Sequence, residues 1–216
     1  AEQRAQWAKN AERNTALWAA SIPADDAVLS YLAARGLAQW TLPDCIRQHP
    51  GLAYWHADDN GDLHMLGRYP AMLAPIVSGG KLLAIHRTYL GDGCKADVPT
   101  PKKLTAASGP LAGACIPLDR PRGGVLGIAE GIETAVAASL GSGLPVVAAY
   151  CANALAGFTF PRCIERLVIF ADHDPAGQKA AAALSHRATR AGLTPKTLTP
   201  SKPRSDWADV WLEGLQ

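Results

Sequence analysis

Three acidic residues in the second half of the chain stand where they could bind a metal ion. Glu130 directly follows an apolar run at 125–129 that predicts a strand, and Asp172 and Asp174 directly follow a second such run at 167–171. If these strands are neighbours in a parallel sheet, their carboxyl ends meet and the three carboxylates converge. Clustered carboxylates raise one another's pKa unless a cation neutralises them, and hard oxygen ligands suit Mg²⁺ or Mn²⁺. Such ions could clamp the attacking and leaving oxygens of a phosphoryl transfer.

The D-x-D pair also has an ordinary structural interpretation. In an extended segment Asp172 and Asp174 would point to one side and His173 away from it. Asp174 could instead cap the helix that Pro175 is expected to open. The amino termini of that helix and of one beginning near Ile132 would face the site, and their free amide groups favour phosphate.

Strands and helices alternate after Gly123. Strands are predicted at 125–129, 145–150, 167–171 and 196–198, and helices at 132–140, 153–156, 175–191 and 206–215. Gly141 is expected to end the first of these helices and Gly192 the third. Apolar strands that alternate with helices predict an α/β fold, with a mostly parallel sheet flanked by helices.

The first 120 residues have a different pattern. Residues 1–20 predict an amphipathic helix, and a second helix follows, with Asp25 or Asp26 as its cap and Gly36 at its end. The apolar face of this second helix is expected to consist of Val28, Leu29 and Leu32.

Beyond Pro43, short apolar runs predict a meander of strands. These runs lie at 52–55, 63–66, 72–77 and 82–90, and they are separated by turn sequences such as Asn60-Gly61 and Gly79-Gly80. Trp40, Tyr54 and Trp55 are expected in the core. We therefore predict a smaller α+β domain at 1–120, with helices within 1–40 and strands within 50–118, and a Rossmann-like domain at 121–216.

Net charge, hydropathy and cysteine spacing limit the kinds of protein that this chain is expected to be. The net charge of +2 is too small to indicate a nucleic-acid binder, although residues 81–122 carry +4 and the remainder −2. No apolar run is long enough to span a membrane, and the five cysteines form no C-x-x-C or Cys/His cluster. A cytoplasmic protein without zinc or membrane association is expected. Since the first residue is Ala1, the chain is expected to be a piece of a longer protein.

The acidic steps resemble the Toprim signature that primases, topoisomerases and certain nucleases share. The resemblance rests on Glu130-Gly131 after one strand and on the D-H-D-P-A-G sequence at 172–177 after another. More narrowly, E-G-I-E-T-A at 130–135 resembles the E-G-x-x-T-A/G motif of primases from phages, satellites and conjugative or integrative elements. S-D-W-A-D at 205–209 resembles their K-D-W-N-D motif, with Ala208 in place of Asn. Upstream, 84–90, 101–104 and 109–111 resemble the segment that precedes Toprim in such primases.

The resemblance implies roles for five acids. Glu130 is implied as acid/base or metal ligand, and Asp172 and Asp174 as ligands of Mg²⁺ or Mn²⁺. Asp206 and Asp209 are candidates for an outer carboxylate, with a helix cap for Asp206 and a solvent-facing acid for Asp209 as equal alternatives.

Several polar residues are candidates to bind nucleotide or DNA. Lys and Arg neutralise phosphate, but they are equally common as solvated surface residues. The candidates are His86, Arg87, Lys102 and Lys103 in the basic segment, Lys179 one turn into a helix, and Asn153 after the middle strand.

Primer synthesis on single-stranded DNA from nucleoside triphosphates, within a bacterial mobile element, is the leading hypothesis. A Toprim-type nuclease could direct water with the same acids, and a non-catalytic DNA-binding module is a third possibility. A topoisomerase would need a tyrosine on a separate domain, and a haloacid-dehalogenase-type phosphatase would need its nucleophilic Asp near the domain start. No phosphate-loop motif is present, so a replicative helicase, or missing zinc-binding and helicase domains, are the expected partners.

Overall fold

The structure is a computed structural model that describes residues 2–215. Its helices are α1 (Glu2–Ala19), α2 (Asp26–Ala34), α3 (Ile132–Ser142), α4 (Ala152–Gly157), α5 (Pro175–Arg190) and α6 (Trp207–Glu213). Its strands are β1 (Ile22–Pro23), β2 (Arg47–Ala57), β3 (Leu63–Ser78), β4 (Lys81–Tyr89), β5 (Lys102–Leu104), β6 (Val125–Ala129), β7 (Val146–Ala148), β8 (Arg166–Phe170) and β9 (Thr194–Leu198). None of the helices between residues 2 and 215 is long and apolar enough to cross a bilayer.

The chain divides into two compact units. One comprises residues 2–34, 44–75 and 82–109, and the other comprises 35–43, 76–81 and 110–215. The domain boundary predicted after residue 120 stays a prediction. The last predicted strand region, 105–118, contributes only isolated bridges such as Val77 with Cys115.

The first unit is built on an antiparallel sheet in the order β1-β2-β3-β4-β5. Its core contains Tyr54 and Tyr89, whose rings meet edge to face with centroids 4.9 Å apart. Helix α1 is fixed by polar side chains. The Asn10 Nδ2 donates to the Ala107 carbonyl at 2.8 Å, and Asn14 lies buried farther along the same face.

The second unit is an α/β layer structure with a parallel sheet in the order β7-β6-β8-β9. Helix α3 packs with α6, and α4 packs with α5. All five residues of β6 and all three of β7 are buried, as expected for strands covered on both faces. This arrangement confirms the predicted fold class.

Four local predictions were wrong. Leu29 is 46% exposed, and Tyr31 takes its place on the buried face of α2. Trp55 is 50% exposed, although Tyr54 beside it is fully buried. The runs at 63–66 and 72–77 form a single strand, β3. Helix α3 continues through Gly141 and ends at Gly143, which has the left-handed conformation (φ 67°) that favours glycine.

Candidate metal and phosphate site

The strands that carry the acids are neighbours, which is the condition under which the sequence analysis expects the acids to converge. Strands β6 and β8 pair in parallel, and Ala129 lies opposite Phe170. Glu130 and Asp172 therefore leave the same edge of the sheet, one and two residues beyond that last pair. This edge is where parallel sheets bind ligands.

The segment after β8 is held by a second loop. The His173 amide donates to the Ser205 carbonyl at 2.9 Å, and the Arg204 amide donates back to the His173 carbonyl at 2.9 Å. Arg204 has a positive φ of 61°, which is uncommon outside glycine. These two backbone hydrogen bonds bring Asp206, which directly follows Ser205, beside the D-x-D segment.

Three of the acids take part in helix caps. The Asp174 Oδ1 accepts from the Gly177 amide at 2.7 Å at the start of α5. Asp206 and Asp209 form a reciprocal capping box at the start of α6, in which each carboxylate accepts from the other's amide at 2.9 and 3.1 Å. The helix cap that the sequence left as one alternative for Asp206 is therefore present, and Asp209 is its capping partner. Each cap uses one carboxylate oxygen and leaves the second for a ligand.

An open cleft of about 420 Å³ lies among these acids. Its lining consists of Asp172, Asp174, Pro175, Arg204, Ser205, Asp206 and Asp209. Glu130 is half-buried and lies outside this lining, yet it is close enough to influence the pKa of Asp172.

Asp172 is electrostatically the most perturbed acid of the cleft. Burial, followed by the negative charges of Glu130, Asp206, Asp174 and Asp209, raises the pKa of its carboxyl from 3.8 to about 7. A carboxyl whose ionised form is disfavoured in this way gains strongly when a cation arrives. The site is therefore built to prefer a positive charge.

The donor set fits a hard divalent ion. The Asp172 Oδ1 is buried and has no hydrogen-bond partner, and the surrounding ligands are carboxylate oxygens, which Mg²⁺ and Mn²⁺ prefer. Within residues 2–215, however, no three His, Cys, Asp or Glu side chains are close enough together to enclose an ion as they stand.

Two further candidates lie apart from the cleft. Lys179 is exposed on α5 and Asn153 is exposed on α4. Neither belongs to the set of described residues that line the cleft. The roles assigned to them in nucleotide binding stay predictions.

The basic candidates of the first unit lie together on paired strands. Arg87 on β4 is directly opposite Lys103 on β5, with His86 and Lys102 as their sequence neighbours. The Arg87 Nη2 donates to the Leu104 carbonyl at 2.6 Å, and the Lys103 ammonium lies 4.1 Å from the centre of the Tyr54 ring. Arg87 and Lys103 thus help to hold this unit together, whatever else they bind.

Sequence reasoning missed the packing role of Gly177. A Cβ added there would lie 2.9 Å from the Asp172 carbonyl oxygen and 3.2 Å from the Asp172 Cβ. The amino terminus of α5 can therefore approach the Asp172 backbone only because residue 177 lacks a side chain. The glycine of the D-x-D-P-A-G sequence was visible as part of a motif, but the sequence does not show which atoms it approaches.

Gly177→Ala is expected to lower the free energy of unfolding by about 1–3 kcal/mol, because the added methyl forces α5 away from Asp172. This loss is the net expected change, after the gain of up to ~1 kcal/mol that Ala brings through its higher helix propensity. Urea denaturation measures the change. Gly51→Ala is the matched control, since nothing lies within 4 Å of the added carbon. Equal stability of Gly177→Ala and the parent protein would contradict the packing role.

Asp206→Ala is expected to lower the free energy of unfolding by about 1 kcal/mol, whereas Asp206→Asn should change it by only a few tenths, because Asn also caps helices. Thermal denaturation of the metal-free variants measures both. If Asp206 also binds metal, Asp206→Asn should weaken metal binding at unchanged stability. Equal destabilisation by the two substitutions would show that the charge, and not the cap, matters.

Comparison with known proteins supports both units. The Toprim domain model matches residues 125–216, and a model described as a domain of unknown function, DUF7146, matches residues 8–116. No curated protein sequence matches the chain.

Solved structures share the fold. The DnaG primase catalytic domain bound to single-stranded DNA aligns with a TM-score of 0.63 at 16% identity, over 97% of this chain and 77% of that one. A structure of the DnaG catalytic core aligns with a TM-score of 0.58 at 15% identity, over 88% and 69%. The chain thus has a Toprim domain and the fold of primase catalytic cores. Because the DUF7146 model covers just over half of its residues, the chain belongs to the DUF7146 family, with a Toprim domain as its second part.

Proposed function

We propose that this chain is the catalytic part of a DNA primase that makes short primers on single-stranded DNA during replication of a mobile element. The observation that carries the proposal is the acidic cleft at the adjoining ends of β6 and β8, in which Asp172 is held at a raised pKa by burial and four other acids. The shared fold with primase catalytic domains supports this assignment.

The chain's own residues have distinct parts in this proposal. Asp172 and Asp174 would hold Mg²⁺ or Mn²⁺, with Asp206 and Asp209 as outer carboxylates. When bound, the ion would neutralise these acids and stabilise charge on the reacting phosphate. Glu130 would act as acid/base and take the proton of the 3′-hydroxyl, which attacks the α-phosphate of the next nucleoside triphosphate while pyrophosphate leaves.

Phosphate would be held by groups of two kinds. The amino terminus of α3 begins at Gly131 without a side-chain cap, so its amide groups are suited to a triphosphate. His86, Arg87, Lys102 and Lys103 supply basic groups for template or nucleotide, and Lys179 and Asn153 are further candidates. A replicative helicase, or zinc-binding and helicase domains on another chain, would complete the function in the bacterial cytoplasm.

Template-dependent incorporation of labelled nucleoside triphosphates on single-stranded DNA, with Mg²⁺ or Mn²⁺, tests the proposal. Product length and template degradation are read on the same gel. Short products that are lost in both Glu130→Gln and Asp172→Asn would support primase chemistry. Metal-dependent shortening of the template without synthesis would identify a nuclease, which the same carboxylates could serve. Metal binding with neither product would identify a non-catalytic module and overturn the proposal.

A further inference from the structure

A single basic residue lies among the acids of the cleft. Four of the described residues that line the cleft are acids, and Arg204 is the one base among them. Arg204 is exposed, and across residues 2–215 its guanidinium takes part in no hydrogen bond or ion pair. The charged end of this side chain is therefore available to an anionic ligand.

The backbone at Arg204 has a conformation that disfavours a side chain. Its φ is 61°, and among the described non-glycine residues only Tyr150 also has a positive φ. The Cβ and the following carbonyl oxygen crowd each other in this conformation, and glycine adopts it without that cost. Residues under such strain cluster at active sites and ligand-binding sites. An arginine at a position that suits glycine therefore points to a role for its side chain.

The backbone of Arg204 is tied to the acids of the D-x-D segment. Its amide donates at 2.9 Å to the carbonyl of His173, which lies between Asp172 and Asp174 in the sequence. Asp206, which caps α6, follows two residues after Arg204. The Cα of Arg204 is therefore fixed beside the acids, whereas no contact of the described residues fixes its guanidinium.

Acids that would hold a cation and an adjacent free arginine together suit an oligophosphate. The guanidinium can donate two parallel hydrogen bonds to one phosphate group, beside the positive charge of an ion on the acids. Each phosphate of a DNA strand carries one negative charge, whereas a terminal phosphate group carries about two at neutral pH. The terminal phosphates of a nucleotide thus gain more than a DNA backbone does from a second positive charge.

We propose that Arg204 binds the β- and γ-phosphates of the incoming nucleoside triphosphate and stabilises the pyrophosphate as it leaves. This assignment rests on the nucleotide transfer proposed above. In that reaction the 3′-hydroxyl oxygen bonds to the α-phosphorus, the bond from that phosphorus to the pyrophosphate oxygen breaks, and the hydroxyl proton passes to Glu130. Negative charge grows on the leaving pyrophosphate, where the guanidinium stabilises it.

Isothermal titration with pyrophosphate in the presence of Mg²⁺ tests the proposal without any nucleotide transfer. Arg204→Ala is expected to weaken pyrophosphate binding about 10- to 100-fold, which corresponds to the loss of a charge-assisted contact. Arg204→Lys should weaken it less, because lysine keeps the charge but not the paired donors. Arg190→Ala is the matched control, since it removes an exposed arginine at the other end of α5, and it should bind pyrophosphate as the parent protein does.

Titration with Mn²⁺ alone separates loss of phosphate binding from loss of the metal. Arg204→Ala should bind Mn²⁺ at least as tightly as the parent protein, because removing a positive charge beside the acids favours a cation. Weaker Mn²⁺ binding by Arg204→Ala would show that the residue supports the metal site instead of the phosphate, and would overturn the proposal.

Melting temperatures test the backbone strain at residue 204. Arg204→Gly lacks the side chain, as Arg204→Ala does, but glycine adopts a φ of 61° without crowding. Without metal, Arg204→Gly is therefore expected to melt about 2–4 °C above Arg204→Ala, although both variants lose pyrophosphate affinity. Equal melting temperatures would contradict the strain that points to a role for this side chain.

Three further results would overturn the proposal, and they differ in what they leave standing. Arg204→Ala that binds pyrophosphate as tightly as the parent protein would remove this role from Arg204 and leave the proposed function intact. Arg204→Ala that loses affinity for a labelled single-stranded oligonucleotide, but not for pyrophosphate, would assign Arg204 to the DNA backbone. A parent protein that binds Mn²⁺ but no pyrophosphate would overturn both this role and the nucleotide transfer on which it rests.

Discussion

Asp172→Asn is expected to lower metal-dependent nucleotide incorporation about a thousandfold, a loss of ~4 kcal/mol of transition-state stabilisation. Asp172 supplies the buried oxygen that has no hydrogen-bond partner, and its carboxyl gains most from a cation. Asparagine keeps the shape of the side chain and removes the charge. Single-turnover incorporation of a labelled nucleotide on single-stranded DNA measures the loss.

A matched control separates this effect from a general loss of negative charge. Asp59→Asn removes an exposed acid in the turn after β2 and should leave incorporation unchanged. Isothermal titration with Mn²⁺ should show weaker binding to Asp172→Asn but not to Asp59→Asn. Incorporation by Asp172→Asn within threefold of the parent protein would remove Asp172 from the reaction.

The position of the site could be predicted because it depends on short-range patterns. Two apolar runs are directly followed by Glu130 and by Asp172, and they identify two strand ends. Because these strands alternate with helices, they are expected in a parallel sheet, where strand ends lie on one edge. The structure shows that the two strands are neighbours, since Ala129 pairs with Phe170. The local pattern thus identified the strand ends, and the structure supplied the strand order.

Long-range features of the site and fold could not be predicted in the same way. The His173–Ser205 hydrogen bond joins residues 32 positions apart and fixes where Asp206 lies. Helix α1 docks through buried Asn10 and Asn14, which the hydrophobic pattern does not identify as inward-facing. Trp55 is 50% exposed whereas Tyr54 beside it is buried, and the aromatic residue types at these two positions do not distinguish the exposed one from the buried one.

The geometry of the site shows that two roles predicted for the same acid, helix cap and metal ligand, can coexist. The helix-cap and metal-ligand interpretations of Asp174 and Asp206 do not compete, because each cap uses a single carboxylate oxygen. A bound ion would take the second oxygen without opening α5 or α6. The capping hydrogen bonds therefore orient the carboxylates in advance of any ligand.

The metal-free protein is expected to lose stability relative to Asp172→Asn as the pH rises. Burial, followed by the charges of Glu130, Asp206, Asp174 and Asp209, raises the pKa of Asp172 from 3.8 to about 7. The folded state therefore holds this proton more tightly than the unfolded chain does. The resulting stabilisation is complete below about pH 4 and is lost as the pH passes through 7.

The stability difference between Asp172→Asn and the parent protein should therefore grow from pH 4 to pH 8 and level off above it. After discounting for solvent screening of this partly buried group, the difference at pH 8 should be on the order of 1–2 kcal/mol. Urea denaturation in EDTA at each pH measures this difference in the free energy of unfolding. Contributions from groups that titrate alike in both proteins cancel in the difference. Saturating Mg²⁺ should stabilise the parent protein and reverse the difference, because the cation neutralises the carboxylate that burial disfavours. A stability difference that stays constant across this pH range would show that deprotonation of Asp172 does not destabilise the folded protein.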